Sequence, residues 1–226
     1  MQALVLCAGP GTRLGPETAA IPKCMVDIGG KPVLQHIAEW LAAHDVRDII
    51  VNLHHLPSPV IDYFRDGKEF GVRMVYSVER ALLGTAGALA SALPWLAGTS
   101  VIVYGDMLCR FALTDMITQH ARSKAHATLA CHQTDNPSAA GIVAMKGDRI
   151  TSIEEKPESP LADYAFAGVL VCEPFFRTLA IGRTDIARDV LPVAASELTL
   201  GGYYAGIDAM DIGTPERLEK ARREWL

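Results

Sequence analysis

"LCAGPGTRLGPETAAIPK" (Leu6–Lys23) follows directly on the apolar residues Ala3, Leu4 and Val5. A short apolar strand that runs into a turn containing Gly9 and Gly11 places backbone N–H groups at a strand end. That arrangement cradles phosphate. Three loop chemistries compete for it. The dinucleotide pattern G-x-G-x-x-G needs a third glycine where Leu14 stands, and Pro16 interrupts the helix that should follow. The P-loop needs Gly-Lys followed by a hydroxyl, but Gly30-Lys31 is followed by Pro32 and Gly67-Lys68 by Glu69. What remains is G-x-G-T-R-L with Arg13, then Lys23 behind Pro22. On its own, a solvated arginine and lysine beside a turn would give the same pattern.

Outward from this loop the chain alternates strand and helix. Residues 48–53, 72–77 and 99–106 read as buried strands that join the first. Val33, Leu34, Ile37, Trp40 and Leu41 fall at helical spacing. Further helices are expected at 58–67, ended by Gly67, at 86–96, and at 113–124 with Thr114 or a neighbour at its cap. After Ala125 come four strand-like pieces, 126–133, 140–146, 149–157 and 164–173, with little helix between them. Residues 185–196 read as helical around Pro192 and 198–213 as strand. The last segment, 214–226, reads as a helix capped by Thr214 with Pro215 at its first position. There is no internal repeat, so no β-helical tail is expected.

Half of the 226 residues are hydrophobic, enough for a sizeable core. The net charge of −5 argues against a nucleic-acid surface or a polybasic membrane patch, while a local positive cradle remains allowed. Cys7, Cys24, Cys109, Cys131 and Cys172 have no metal or C-x-x-C spacing; reduced, mostly buried thiols in a cytoplasmic protein are expected. Neither a signal peptide nor a membrane span is read in the chain. Trp40 and Trp95 read as core, and Trp225 as core or an oligomer contact. The pair His54-His55 lacks a suitably spaced third ligand and reads as structural or near a sugar. His36, His120, His126 and His132 are scattered and support no argument.

Taken with later segments, the opening loop resembles that of the sugar-1-phosphate nucleotidyltransferases, the nucleotide-sugar pyrophosphorylases. "LLGTAGAL" (82–89), "VYGD" (103–106), "EEKP" (154–157), "FAGVLV" (166–171) and "DAMDIGTPERL" (208–218) occur in the order that family uses and span nearly the whole chain. The resemblance implies an α/β fold: a Rossmann-like three-layer α/β/α, GT-A-like domain with a mixed central sheet. It would be one domain over 1–226, with 1–124 mainly for the nucleotide and 125–226 mainly for the sugar phosphate.

The resemblance also implies roles. Leu6, Cys7, Ala8, Gly9, Gly11, Thr12 and Arg13 would line the triphosphate, and Arg13 and Lys23 would be catalytic. Gly84, Thr85, Ala86, Gly87 and Gly105 would lie near the nucleotide. Gly141, Glu155, Lys156 and Gly168 would hold the sugar and its phosphate. Asp106 and Asp211 would share Mg²⁺, which suits two carboxylates plus phosphate oxygens, while Asp208 reads as a turn acid. Two departures stand out. Pro10 supplies no N–H to the cradle, and Gly15 stands where relatives often carry a basic residue.

The segments around 48–89 look most like short bacterial mannose- and heptose-1-phosphate guanylyltransferases, and the resemblance implies an enzyme that feeds capsule or lipopolysaccharide synthesis. GTP and a mannose or heptose 1-phosphate are therefore the expected substrates. Uridylyl or thymidylyl transfer to another sugar 1-phosphate stays open, as do a glycosyltransferase, a catalytically silent nucleotide-sugar-binding regulator and a homo-oligomeric state.

Overall fold

The computed structural model describes residues 1–134, 136–160, 162, 164–206 and 209–225. Asp208 lies outside the described residues. In chain order the strands are β1 (Gln2–Leu6), β2 (Asp27–Ile28), β3 (Lys31–Pro32), β4 (Asp48–Leu53), β5 (Arg73–Val78), β6 (Ser100–Tyr104), β7 (Met107–Cys109), β8 (Ala127–Gln133), β9 (Gly141–Lys146), β10 (Arg149–Glu155), β11 (Tyr164–Cys172), β12 (Leu200–Tyr204) and β13 (Ala209–Asp211). The α-helices are α1 (Val33–Ala43), α2 (Pro57–Phe64), α3 (Gly84–Ala92), α4 (Leu113–Ser123), α5 (Pro174–Thr178), α6 (Leu191–Glu197) and α7 (Pro215–Glu224). The chain is of the expected mixed α/β class, with both parallel and antiparallel strand pairings.

Residues group into two compact units that interleave in sequence, where the sequence reading divides the chain at 124. The first comprises 1–82, 103–110 and 208–226; the second comprises 83–102 and 111–207. In the first unit β1 pairs in parallel with β4, and β4 with β5. Leu4, Val5, Val51 and Leu53 are fully buried, as expected of parallel strands covered on both faces. Truncating a leucine buried like Leu4 costs about 2–5 kcal/mol, so β1 is a firm base for the loop after it. Helix α1 buries the stripe Val33, Leu34, Ile37, Ala38, Trp40 and Leu41. Beyond α2, Gly67 adopts φ 82° and its N–H closes the turn on the Phe64 carbonyl at 2.8 Å.

In the second unit the order is β11-β8-β12-β10-β9. β12 runs parallel to β8, and the other pairings are antiparallel. The register of β11 on β8 shifts between Phe166 and Leu170, and Gly168 within that shift has φ 69°. A glycine supplies the conformation that this irregularity requires.

Several local expectations are corrected. Ala112, not Thr114, stands at the start of α4, with no side-chain cap. Trp95 is 51% exposed, because it sits in a short 3₁₀ turn after α3 where Pro94 has ended the α-helix. The segment at 185–196 divides into a π-helical turn, Ile186–Val190, and then α6, which takes Pro192 in its first turn, where the missing N–H costs nothing. Trp225 is core: it is buried, and the Arg110 guanidinium lies 4.1 Å from its ring centroid. All five cysteines are buried and unbridged. No described helix is long and apolar enough to cross a membrane.

Candidate active site

In the first unit the loop after β1 is built by local bonds. The Cys7 N–H donates to Asn52 O at 3.0 Å, continuing the β1–β4 ladder into the loop, and Gly105 N–H donates to Leu6 O at 2.9 Å. Ala8 is buried, whereas Gly9, Pro10 and Thr12 are exposed. Gly11 has φ 66° and opens a 3₁₀ turn, Thr12–Thr18. The Thr18 hydroxyl donates back to Gly11 O at 2.9 Å and pins the turn. A Cβ at Gly11 would lie 3.0 Å from Thr18 and 3.1 Å from the Lys23 side chain, so the loop packs closely against the lysine segment. The Cys7 thiol is pushed up by its hydrogen bond with Cys24, by burial and by Asp106, which marks it as an inert packing group.

Gly15 has φ 61° and ψ −127°, a kink inside that turn. Only glycine adopts this conformation readily, which accounts for a glycine at this position. Gly15→Arg is expected to destabilise the protein by about 1–3 kcal/mol. A thermal melt lowered by several degrees would agree; an unchanged melt would show that the turn relaxes freely.

Asp106 occupies the two-residue turn between β6 and β7. β7 pairs antiparallel with β13, setting Met107 opposite Asp211, and Ile212 N–H donates to Asp106 O at 3.0 Å. This short ladder makes neighbours of two acids that are far apart in sequence. Lys23 Nζ is ion-paired with Asp106 Oδ2. Asp211 accepts from Gly213 N–H at 2.9 Å on Oδ1 and from Arg217 NH1 at 2.7 Å on Oδ2. A Cβ built at Gly213 would lie 2.8 Å from Asp211 Oδ1, 3.5 Å from Lys23 Nζ and 3.7 Å from Arg13 NH2. Arg13, Lys23 and Asp211 therefore converge on one glycine, and Asp106 joins them through its ion pair with Lys23. The Gly105 Cα is equally crowded: a Cβ there would meet Cys7 Sγ at 2.4 Å.

In the second unit, Thr85 in the first turn of α3 donates to Asp185 Oδ2 at 3.3 Å and accepts from Ile186 N–H at 2.8 Å. Gly84 (φ 75°) lies against the Thr184 carbonyl, where a Cβ would stand 2.2 Å away, and Ala86 N–H donates to that carbonyl at 3.1 Å. Gly87 faces the Leu83 side chain. These glycines and Ala86 thus pack α3 onto the 184–186 segment. Glu155 sits across Gly141, whose Cβ would be 2.8 Å from Glu155 Oε2. Burial pushes the Glu155 carboxyl up, Lys156 draws it down and Asp185 pushes it up further. Lys156 itself has φ 51°, a left-handed conformation that non-glycine residues avoid, and its Nζ is 3.8 Å from Glu155. Strained backbone held this way is a common feature of ligand sites.

The histidine pair is partly structural: His54 Nδ1 meets Glu79 O at 3.0 Å. His120, passed over in the sequence, is buried between Thr128 at 2.8 Å and Glu173 at 3.2 Å. Among the described residues no group of three or more His, Cys, Asp or Glu is placed to hold a metal. Asp106 and Asp211, brought near each other by the β7–β13 ladder, supply two carboxylates, and Mg²⁺ takes one or two carboxylates when phosphate and water complete its shell.

A family model for nucleotidyl transferases matches residues 2–226. The chain belongs to the nucleotidyl transferase family. Over 223 residues it is 30% identical to the mannose-1-phosphate guanyltransferase of Yarrowia lipolytica, covering 96% of this chain and 61% of that protein. It is 31% identical to the mannose-1-phosphate guanylyltransferase catalytic subunit beta of Danio rerio, covering 96% of this chain and 62% of that one. The chain thus spans about six tenths of the length of these curated relatives. Among solved structures, a putative glucose-1-phosphate thymidylyltransferase from Bacillus anthracis superposes with a TM-score of 0.88 at 24% identity, covering 99% of this chain and 94% of that one. That likeness establishes the fold of the family.

Three residues of this nucleotidyl transferase chain carry no sequence-based role and yet hold the site: Thr18, Gly213 and Arg217. Gly213 and Arg217 both lie inside the "DAMDIGTPERL" segment. A glycine two residues after an acid was the available signal for close approach.

Proposed function

We propose that this chain transfers a nucleoside monophosphate from a nucleoside triphosphate to a sugar 1-phosphate, releasing pyrophosphate. GTP and a mannose or heptose 1-phosphate are the substrates we favour. The observation that carries the reading is the convergence of Arg13, Lys23 and Asp211 around Gly213, with Asp106 ion-paired to Lys23. The base preference is supported by the relatives named as mannose-1-phosphate guanylyltransferases.

The chemistry needs charge management more than nucleophile activation. A sugar phosphate has a second pKa near 6 and is largely dianionic at neutral pH, so no general base is required. One of its oxygens bonds to the α-phosphorus, and the bond from that phosphorus to the bridging oxygen breaks as pyrophosphate leaves. Repulsion between the two polyanions is the obstacle. The Arg13 guanidinium offers a planar fork to phosphate oxygens. Lys23, held between the loop and Asp106, is a point charge that would pass from the carboxylate to a phosphate oxygen. The loop amides of Gly9 and Gly11 would hold the terminal phosphates, and Gly105 would leave room beside Asp106. In the second unit Lys156 would meet the sugar phosphate and Glu155 a sugar hydroxyl, with Gly141 and Gly168 keeping the backbone low beside the ring. Thr85 and its small neighbours would face the nucleotide. Mg²⁺ on Asp106 and Asp211 would neutralise charge developing on the triphosphate.

Pyrophosphate release measured over GTP, UTP, dTTP, CTP and ATP against a panel of sugar 1-phosphates tests this. Turnover that is highest with GTP and a mannose- or heptose-type sugar is expected. Highest turnover with UTP or dTTP would reassign the base. No pyrophosphate with any pair would leave a nucleotide-sugar-binding protein without catalysis.

A further inference from the structure

Arg217 is the third residue of α7, and its backbone N–H donates to the Thr214 cap at 3.4 Å. An arginine in the first turn of a helix faces the positive end of the helix dipole, where acids are favoured. Its side chain instead reaches back to Asp211, where NH1 meets Oδ2 at 2.7 Å. The pair is only partly exposed, at 43% for Arg217 and 31% for Asp211. The site therefore holds two neighbouring carboxylates, each matched by its own cation. Asp106 has Lys23 and Asp211 has Arg217.

Lys23 belongs to the phosphate-binding set and has work elsewhere once a triphosphate arrives. Arg217 lies outside the glycine loop in sequence, and its side chain bonds to Asp211. We propose that Arg217 is a positioning residue that serves as the resident counter-ion of Asp211, fixing its rotamer and occupying the oxygen a divalent cation would take until that cation arrives with nucleotide. This rests on the reading of Asp106 and Asp211 as the cation's ligands. With Arg13, Lys23 and Arg217 all close by, the site without nucleotide is electrostatically closed to a bare divalent ion. The triphosphate's negative charge reopens it by drawing Arg13 and Lys23 to its own oxygens.

The consequence is counter-intuitive: removing a residue that touches the metal-binding acid should tighten binding of the bare ion. Mn²⁺ alone, titrated into the full chain and followed by the electron-spin-resonance signal of free Mn²⁺, reads this without any turnover. Arg217→Gln is expected to bind Mn²⁺ about fivefold tighter than wild type, with Arg217→Lys between the two. The same glutamine variant should melt lower than wild type without metal and recover when Mn²⁺ is added. Adding Asp211→Asn to Arg217→Gln should erase the gain.

Unchanged or weaker Mn²⁺ binding by Arg217→Gln would overturn the inference, since a residue that merely supports the loop would give that result. A gain that survives Asp211→Asn would overturn it too. If wild type with a non-hydrolysable GTP analogue binds no Mn²⁺, and neither Asp106→Asn nor Asp211→Asn changes anything, then the metal assignment itself fails and the inference falls with it.

Discussion

Asp106→Asn is expected to lower turnover by on the order of a hundredfold or more, at near-normal folded content. The substitution conserves volume. Its backbone carbonyl still accepts from Ile212 N–H, so the contact between the β6–β7 turn and the end of β13 persists. What is lost is a full negative charge facing Lys23, whose side chain is 13% exposed while that of Asp106 is 26% exposed. An amide oxygen still accepts a hydrogen bond from the ammonium but does not balance its charge. Because both groups reach solvent, the stability cost should stay near 1–2 kcal/mol, below that of breaking a fully buried pair. The catalytic cost is larger, because the same carboxylate is proposed to set the charge around the α-phosphate. Pyrophosphate release and a thermal melt on the same preparation separate the two. A variant that melts normally and turns over at near wild-type rate would remove Asp106 from the mechanism. One that fails to fold would move the claim to Asp106→Glu, which keeps the charge but displaces it by one methylene and should also lose most activity.

Much of this site was legible in the sequence because its parts are local. The apolar run that becomes β1, the strand at 48–53 and the helix that starts with Thr214 and Pro215 follow from burial pattern and capping chemistry. Arg13, Lys23, Asp106 and Asp211 could be named from ordered motifs, and the structure brings them together. What could not be read was how they meet. The ladder joining Met107–Cys109 to Ala209–Asp211 is three residues long on each side, too short for any periodicity to reveal. Trp95 looked like core by residue type, but Pro94 had already turned the chain outward. The bond from Thr85 to Asp185 links two segments by side chains alone, and nothing in their spacing announces it. The partner of Asp211 was hidden for a different reason. An arginine among the charged residues of α7 reads as part of a solvated face, and only its contact distinguishes Arg217 from Arg222, which pairs instead with Glu17 and Glu219.

Gly213→Ala provides a sharper separation of fold from function than any charge deletion. The added methyl would lie 2.8 Å from Asp211 Oδ1, 3.5 Å from Lys23 Nζ and 3.7 Å from Arg13 NH2. Each of these atoms is at the far end of a side chain, so the clash is relieved by moving the functional groups and the backbone need not shift. Asp211 is the one that must move, yet Gly213 N–H and Arg217 hold both its oxygens. A displacement of about 1 Å in a positioned catalytic group costs on the order of a hundredfold in rate. The core beneath is untouched, so the melt should stay within a few degrees of wild type. The expected result is kcat/KM reduced about a hundredfold at nearly unchanged Tm. Retained activity in a well-folded alanine variant would mean that the three side chains do not work at the point where the structure gathers them. A low Tm with proportionally low activity would instead assign Gly213 to the fold. Gly105→Ala marks that second behaviour: its methyl would collide with Leu6 O at 2.6 Å as well as with Cys7, so it should lose stability and activity together.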